Sequence, residues 1–302
     1  MARVLLAGTP KTTVQVAEKL KAAGHEIAMV LCPFPKPVGR KKALTPSEIE
    51  VWADQNHIPV TRVNKDIFAD DYTLRSLLPT ADLLIVADFG FLVPGWLLRF
   101  PKHGSLNIHP SLLPRWRGAT PVPFTLLFGD TETGVSIIQM NEKFDLGEII
   151  TQTPVHIASS DTTPTLLERA FDAGASLLVD IINPYLSEKI LPQPQPKTSP
   201  KPTTPRLTKE DGFVPFASLV GTGDEPAPLL SRYELSTTPG TIERMVRALK
   251  PWPKVWTILP NGKRLIIHSA SLAGKKLVLE NVQLEGKNPS TFAEVKNQIY
   301  SD

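Results

Sequence analysis

Residues 105–121 read SLNIHPSLLPRWRGATP. Strand alternation sends Leu106 and Ile108 to one face and Asn107 and His109 to the other. Pro110 has no N–H to give a sheet ladder, so the strand is expected to stop at His109. Two polar side chains then stand together at the carboxyl end of a strand, where open α/β sheets bind ligands. Arg115, Trp116 and Arg117 follow at once with two guanidinium forks and an indole plane. An asparagine there can donate to a carbonyl oxygen as it becomes an oxyanion, and a histidine can hold or release a proton near neutral pH. A carboxylate to orient the imidazole is available in Phe144-Asp145-Leu146-Gly147-Glu148. Taken alone, Asn-x-His fits a turn cap and a core histidine as well as a catalytic pair, and Asp145 fits a turn former.

Upstream, the chain reads as alternating strands and helices. Arg3–Gly8 is an apolar strand, Gly8-Thr9-Pro10 a turn, and Thr12–Ala23 a helix closed by Gly24. Ile27–Leu31 is the next strand, and strand–helix–strand at this spacing implies a parallel βαβ unit. The first turn carries one glycine and no G-x-G-x-x-G, which disfavours NAD, and there is no P-loop lysine motif. Pro33–Pro46 is a long connection carrying Lys36, Arg40, Lys41 and Lys42. Such a loop is either solvated or a phosphate-contacting element. A helix at Pro46–Asn56, a strand at Pro59–Val63 and a helix at Phe68–Leu78 follow. The buried strand Ala81–Ala87 then leads into Asp88-Phe89-Gly90-Phe91-Leu92-Val93-Pro94.

Downstream of the opening stretch, the pattern predicts a helix at Pro121–Phe128, strands at Gly134–Met140 and Glu148–Ile157, and a long helix at Thr163–Leu186. Residues 191–205, LPQPQPKTSPKPTTP, have a proline at almost every second or third position. That composition forbids helix and central strand and favours an extended, semi-rigid spacer. After it the chain turns to short strand-like runs, Trp256–Leu259, Arg264–Ala270 and Lys276–Leu284, with one helix at Thr241–Leu249. The division read here is a catalytic α/β domain at 1–190, a proline-rich linker at 191–205 and a small β-rich domain at 206–302. Residues 221–239 read as a loop.

Composition narrows the class. The single cysteine, Cys32, excludes an internal disulfide framework and a cysteine-based zinc site. The six histidines are scattered and form no metal-ligand pattern, so no metal is expected. No apolar run reaches the ~18–20 residues of a membrane span, and the chain enters a strand with no leader pattern. A soluble, cytoplasmic, monomeric protein is expected. Charge is uneven: residues 1–190 hold 18 Lys/Arg against 20 Asp/Glu, whereas residues 206–302 hold 13 against 10. With Lys197 and Lys201 in the linker, the basic excess lies towards the C-terminus, a weak pointer to a polyanionic partner.

The stretch Asn107–Ala119, NIHPSLLPRWRGA, resembles the 10-formyltetrahydrofolate-dependent formyltransferase family, and within it the members that act on methionyl-tRNA. Gly8-Thr9-Pro10, Phe144-Asp145-Leu146-Gly147, Leu207-Thr208-Lys209-Glu210-Asp211-Gly212 and Pro251-Trp252-Pro253 fit the same family, in its order along the chain. The resemblance implies a Rossmann-like, mostly parallel sheet followed by an OB-like barrel that holds tRNA. It implies formyl transfer from 10-formyltetrahydrofolate to the α-amine of initiator methionyl-tRNA, with Asn107, His109 and Asp145 catalytic. It further implies substrate contacts at Phe89 and Gly90, where the family's usual Ala-Tyr-Gly is replaced by Asp88-Phe89-Gly90. Other contacts are implied at Ser111, Leu112, Leu113, Pro114, Arg115 and Arg117, and at Arg40, Lys41 and Lys42 in the basic loop. Two alternatives remain: a relative that formylates a small amine, such as a nucleotide-linked amino sugar or glycinamide ribonucleotide, and a non-enzymatic nucleic-acid-binding protein.

Overall fold

The computed structural model of the chain describes residues 1–39, 42–69 and 71–299. Arg40 and Lys41 of the expected basic loop lie outside the described residues, as does the end of the chain beyond Ile299.

In chain order the elements are β1 (Arg3–Gly8), α1 (Lys11–Ala22), β2 (Glu26–Pro33), β3 (Lys36–Val38), β4 (Ala43–Thr45), α2 (Glu48–Gln55) and β5 (Val60–Val63). Then come α3 (Lys65–Ala69), α4 (Asp71–Leu77), β6 (Leu83–Ala87), α5 (Gly95–Leu98), β7 (Ser105–His109), α6 (Pro121–Phe128), β8 (Glu132–Gln139) and β9 (Glu148–His156). The rest is α7 (Thr163–Leu186), α8 (Phe216–Val220), α9 (Pro228–Arg232), α10 (Pro239–Ala248), β10 (Val255–Ile258), β11 (Arg264–Ala273), β12 (Lys276–Leu284), β13 (Ser290–Thr291) and α11 (Phe292–Val295). The chain forms two compact units, one of Met1–Gly118, Glu132–His156 and Leu167–Thr203, the other of Ala119–Thr131, Ile157–Leu166 and Thr204–Asp302. The proline-rich stretch as far as Thr203 therefore belongs to the first unit.

The first unit is built on a seven-stranded sheet in the order β5-β2-β1-β6-β7-β8-β9. Strands β5 to β7 are parallel, and β8 and β9 run antiparallel. The apolar runs of β1 and β6 are buried along their length because parallel strands are covered on both faces. Strand order reverses between β1 and β6, so their carboxyl ends border a crevice of the kind that binds ligands. Gly8 is required there, since a Cβ would fall 2.6 Å from the Ala87 carbonyl oxygen. Thr13 Oγ1 donates to that carbonyl at 2.7 Å, and Thr12 Oγ1 donates to Asp88 Oδ2 at 2.9 Å, so the first turn of α1 ties both strand ends together.

Three local expectations change. Pro33–Pro46 contains the antiparallel β3–β4 hairpin. Prolines that argue against a central strand are tolerated in a two-stranded ribbon, where both strands are edges. The helix expected at Phe68–Leu78 is two short helices, and the first starts earlier because Asn64 Oδ1 accepts the Ile67 N–H at 2.8 Å. Residues 221–239 contain α9, entered through Pro228 in its first turn.

The second unit pairs a four-stranded antiparallel sheet, β10-β11-β12-β13, with α10. Helix α10 also packs on α6, where Arg244 Nε donates to the Leu127 carbonyl at 3.0 Å. Asp211, from the Leu-Thr-Lys-Glu-Asp-Gly stretch, is buried and structural. Its Oδ2 accepts from the Thr208 N–H at 2.7 Å, and Oδ1 meets Arg232 of α9 at 2.9 Å.

Cys32 is fully buried at the end of β2, and burial pushes its thiol up to about 11. The unfolded thiol ionises from its ordinary 9.0, so the native state binds the extra proton between these values and loses stability as pH rises through that window. At pH 8 a maleimide should leave native Cys32 unlabelled and react only after urea unfolding; rapid native labelling would contradict the burial.

Candidate active site

Strand β7 delivers Asn107 and His109 from one face of the sheet, and the chain then makes a braced loop. Asn107 is half-buried and His109 is buried. Ser111 closes the turn: its N–H donates to the His109 carbonyl at 2.8 Å, and its hydroxyl donates to the Arg115 carbonyl at 2.6 Å. Leu113 is buried, its N–H donating to Ser136 Oγ at 3.0 Å and its carbonyl accepting from Gln152 Nε2 at 2.9 Å. The Leu113–Pro114 bond is cis. Leu112, Pro114 and Arg115 are half-buried. Ser111 and Leu113, expected at substrate, thus spend their polar groups on holding this loop in shape.

That shape brings Trp116 back to His109. Trp116 is buried, with a left-handed φ of 54°, and its carbonyl lies 3.2 Å from His109 Nε2. The other ring nitrogen, Nδ1, lies 3.7 Å from Asp145 Oδ1, farther than a direct hydrogen bond. The Asp145 side chain is almost fully buried and its backbone has a left-handed φ of 52°, and its Oδ2 accepts the Gly118 N–H at 2.8 Å. One ring nitrogen is thus within hydrogen-bond reach of a carbonyl, and the other faces a carboxylate whose charge favours an imidazolium. Arg117 lies alongside. Burial lowers its pKa, and the negative charge of Asp145 opposes that shift.

The structure brings Asn107, His109, Asp145 and the Arg117 loop together. Phe89 lies elsewhere in the first unit, in an edge-to-face cluster with Phe68 and Phe91 at centroid distances of 6.2 and 5.4 Å. This cluster, with Val93, Leu97 and Met140, makes a partly exposed apolar wall. Gly90 is exposed and has room for a Cβ. Lys42 is exposed in the β3–β4 turn. A cavity of about 860 Å³ at the amino end of β7 is lined by Leu98, Arg99, His103, Met140, Glu142 and Tyr185 among others. Asn107, His109 and Asp145 are not among its lining residues. Among the described residues no group of three or more His, Cys, Asp or Glu is placed to hold a metal ion, and no helix is long and apolar enough to cross a membrane.

Residues 2–182 match the formyl transferase family, and residues 234–276 match the formyl transferase C-terminal domain. The chain belongs to the formyl transferase family. A methionyl-tRNA formyltransferase of Halalkalibacterium halodurans is 34% identical over 266 residues, covering 88% of this chain and 77% of the relative. The enzyme of the same name from Listeria innocua is 37% identical over 261 residues, covering 86% and 76%. Among solved structures, the N-formyltransferase of Helicobacter canadensis, in complex with folinic acid and dTDP-3-aminofucose, aligns with a TM-score of 0.61. That alignment is at 17% identity over 90% of this chain and 88% of the other, a likeness of fold. The family fold accounts for the sheet of the first unit and the antiparallel sheet of the second.

Sequence reasoning missed Gln195. It sits in the proline-rich stretch, yet its side chain reaches both the Asp145 loop and Arg117. Its one signal was a polar residue recurring among prolines, which composition alone reads as spacer.

Gly147 lets the Asp145 loop lie on β8, since a Cβ there would fall 2.0 Å from the Gln139 carbonyl oxygen. Gly147→Ala should displace the loop, lower stability by about 1–3 kcal/mol and reduce formyl transfer; a variant with unchanged melting and turnover would show that the loop tolerates the shift.

Proposed function

We propose that this protein transfers a formyl group from 10-formyltetrahydrofolate to the α-amine of methionine on initiator tRNA. The observation that carries the mechanism is the meeting of His109 with Asp145 at the carboxyl end of β7, the strand that also carries Asn107, with His109 and the Asp145 side chain buried. The acceptor follows the relatives named above, with identities of 34% and 37% over most of the chain.

The residues present fit a folate. The apolar wall of Phe89, Phe91, Val93 and Met140 suits a flat heteroaromatic ring. When bound, the donor supplies a formyl carbon open to attack by an amine and a nitrogen that leaves. Asn107 donates its amide N–H to the formyl oxygen as negative charge develops there; one such donor is typically worth about 10²–10³ in rate. His109, protonated, adds positive charge beside that oxygen. Asp145 holds the imidazolium across their 3.7 Å separation and helps pass the proton lost by the attacking amine, through solvent water, to the departing nitrogen. Gly118 holds the carboxylate by its N–H. The role needs no metal.

The tRNA would be met by two basic features, one in each unit. Lys36 and Lys42 are exposed on the β3–β4 hairpin, and Arg40 and Lys41 stand in the same loop by sequence. The second unit, read as the tRNA-binding domain, carries the C-terminal basic excess, with Lys209 stacked 5.7 Å over Trp256. Phosphate contacts of this kind position a nucleic acid without reading its sequence. The reaction would take place in the cytoplasm on a monomer.

Single-turnover assays with 10-formyltetrahydrofolate separate the acceptors. Transfer should occur to methionine-charged initiator tRNA and neither to uncharged tRNA nor to a panel of amino sugars and glycinamide ribonucleotide. Transfer to one of the small amines instead would keep the chemistry and overturn the acceptor.

Asp145→Asn should lower turnover by about 10²–10⁴-fold while folate binding, followed by fluorescence titration, is retained; turnover close to wild type would remove the role given to Asp145. Arg40→Ala combined with Lys42→Ala should raise KM for charged tRNA and flatten its dependence on salt. An unchanged salt slope would mean that the hairpin loop does not meet phosphate.

A further inference from the structure

The proline-rich stretch is laced to the first unit at three points. Gln193 forms an antiparallel bridge with Ile149, with N–H···O distances of 2.7 and 2.8 Å. Ser199 Oγ donates to the Pro114 carbonyl at 2.6 Å. Between them lies Gln195, whose Nε2 donates to the Asp145 carbonyl at 2.8 Å and the Gly147 carbonyl at 2.6 Å. Its Oε1 accepts from Arg117 Nε at 3.0 Å and from Nη2 at 2.8 Å. Arg117 Nη2 also donates to the Pro196 carbonyl at 2.9 Å. Both amide hydrogens and both lone pairs of Gln195 are therefore in use. Only one orientation of the amide serves, because two carbonyls require the NH₂ end and a guanidinium requires the oxygen.

Asp145 needs such support. Its left-handed φ of 52° is sparsely populated by residues other than glycine and persists where the surroundings hold it. The two carbonyls that Gln195 grips are those of Asp145 itself and of the residue two further on. The same amide fixes Arg117, whose neighbour Gly118 donates to Asp145 Oδ2. Gln195 thus spans the two loops that meet at His109.

We infer that Gln195 is a positioning residue for the reaction, holding Asp145 in its left-handed conformation against His109 and making the stretch 191–203 part of the active site. This rests on the role proposed for Asp145. Gln195 itself touches no reacting atom. Its effect passes through the backbone of Asp145, and a misplacement of the carboxylate by about an ångström is worth up to ~100-fold in rate.

Three variants in the full chain test the inference, each first checked for native circular dichroism and melting. Gln195→Met keeps the length of the side chain and loses every hydrogen bond. Gln195→Glu keeps the acceptor for Arg117 but turns an oxygen towards the two carbonyls. Both should lower kcat by about 10- to 100-fold with little change in KM for charged tRNA. In the Asp145→Asn background, Gln195→Met should cost less than about twofold more, because residues acting as a unit do not add. Wild-type kcat in Gln195→Met would overturn the inference, as would restored turnover in Gln195→Glu, which would assign the effect to Arg117. A full multiplicative loss in the double variant would reduce Gln195 to general stabilisation. Wild-type turnover in Asp145→Asn alone would instead remove the reading beneath, a result visible without any Gln195 variant.

Discussion

The hydrogen bond from the Gly118 N–H to Asp145 Oδ2, 2.8 Å long, is the contact on which the site depends. It joins two loops that are far apart in sequence and that enter from different strands. A carboxylate taken out of water is costly unless it is paired and hydrogen-bonded. Here the cost is offset by a backbone donor and by the neighbouring His109 and Arg117. For Gly118 to offer its N–H, the chain after β7 must turn through the braced Ser111–Pro114 segment and the left-handed Trp116. For Asp145 to accept it, the β8–β9 loop must lie flat on β8, which Gly147 permits.

The polar network around these loops is saturated. Ser136 Oγ donates to the Ser111 carbonyl and accepts from the Leu113 N–H and from Gln152 Nε2. Gln195 closes the opposite side. In a buried setting such bonds reinforce one another, and a broken member leaves an expensive unpaired group. Trp116 and Asp145, two of the first-unit residues with a left-handed φ, stand inside this network. Local strain of this kind is sustained by the structure around it and concentrates where geometry serves chemistry.

The second unit shows how motif residues can be structural. Asp211 and Arg232 form a half-buried pair that joins the Leu-Thr-Lys-Glu-Asp-Gly turn to α9. The same turn holds Trp256, whose indole N–H donates to the Lys209 carbonyl at 2.9 Å. Residues that carry a family resemblance in sequence thus serve, in this unit, to fix a small antiparallel sheet that has little apolar area of its own to bury.

The parallel sheet was legible in the chain because its strands are apolar runs separated by helical segments, a pattern with few alternatives. Pro110 marked the end of β7 for a covalent reason, its missing N–H, so the side-by-side placement of Asn107 and His109 followed from local chemistry. The β3–β4 hairpin was not legible, since its proline content fits a loop and a two-stranded ribbon equally. Only the tertiary structure decided that Asp145 reaches His109, because the meeting depends on how two loops fold over one sheet face and not on the residues within either. It alone decided the place of Gln195: a proline-rich stretch specifies extended backbone, while the partners of a glutamine within it are chosen by whatever surface that backbone crosses.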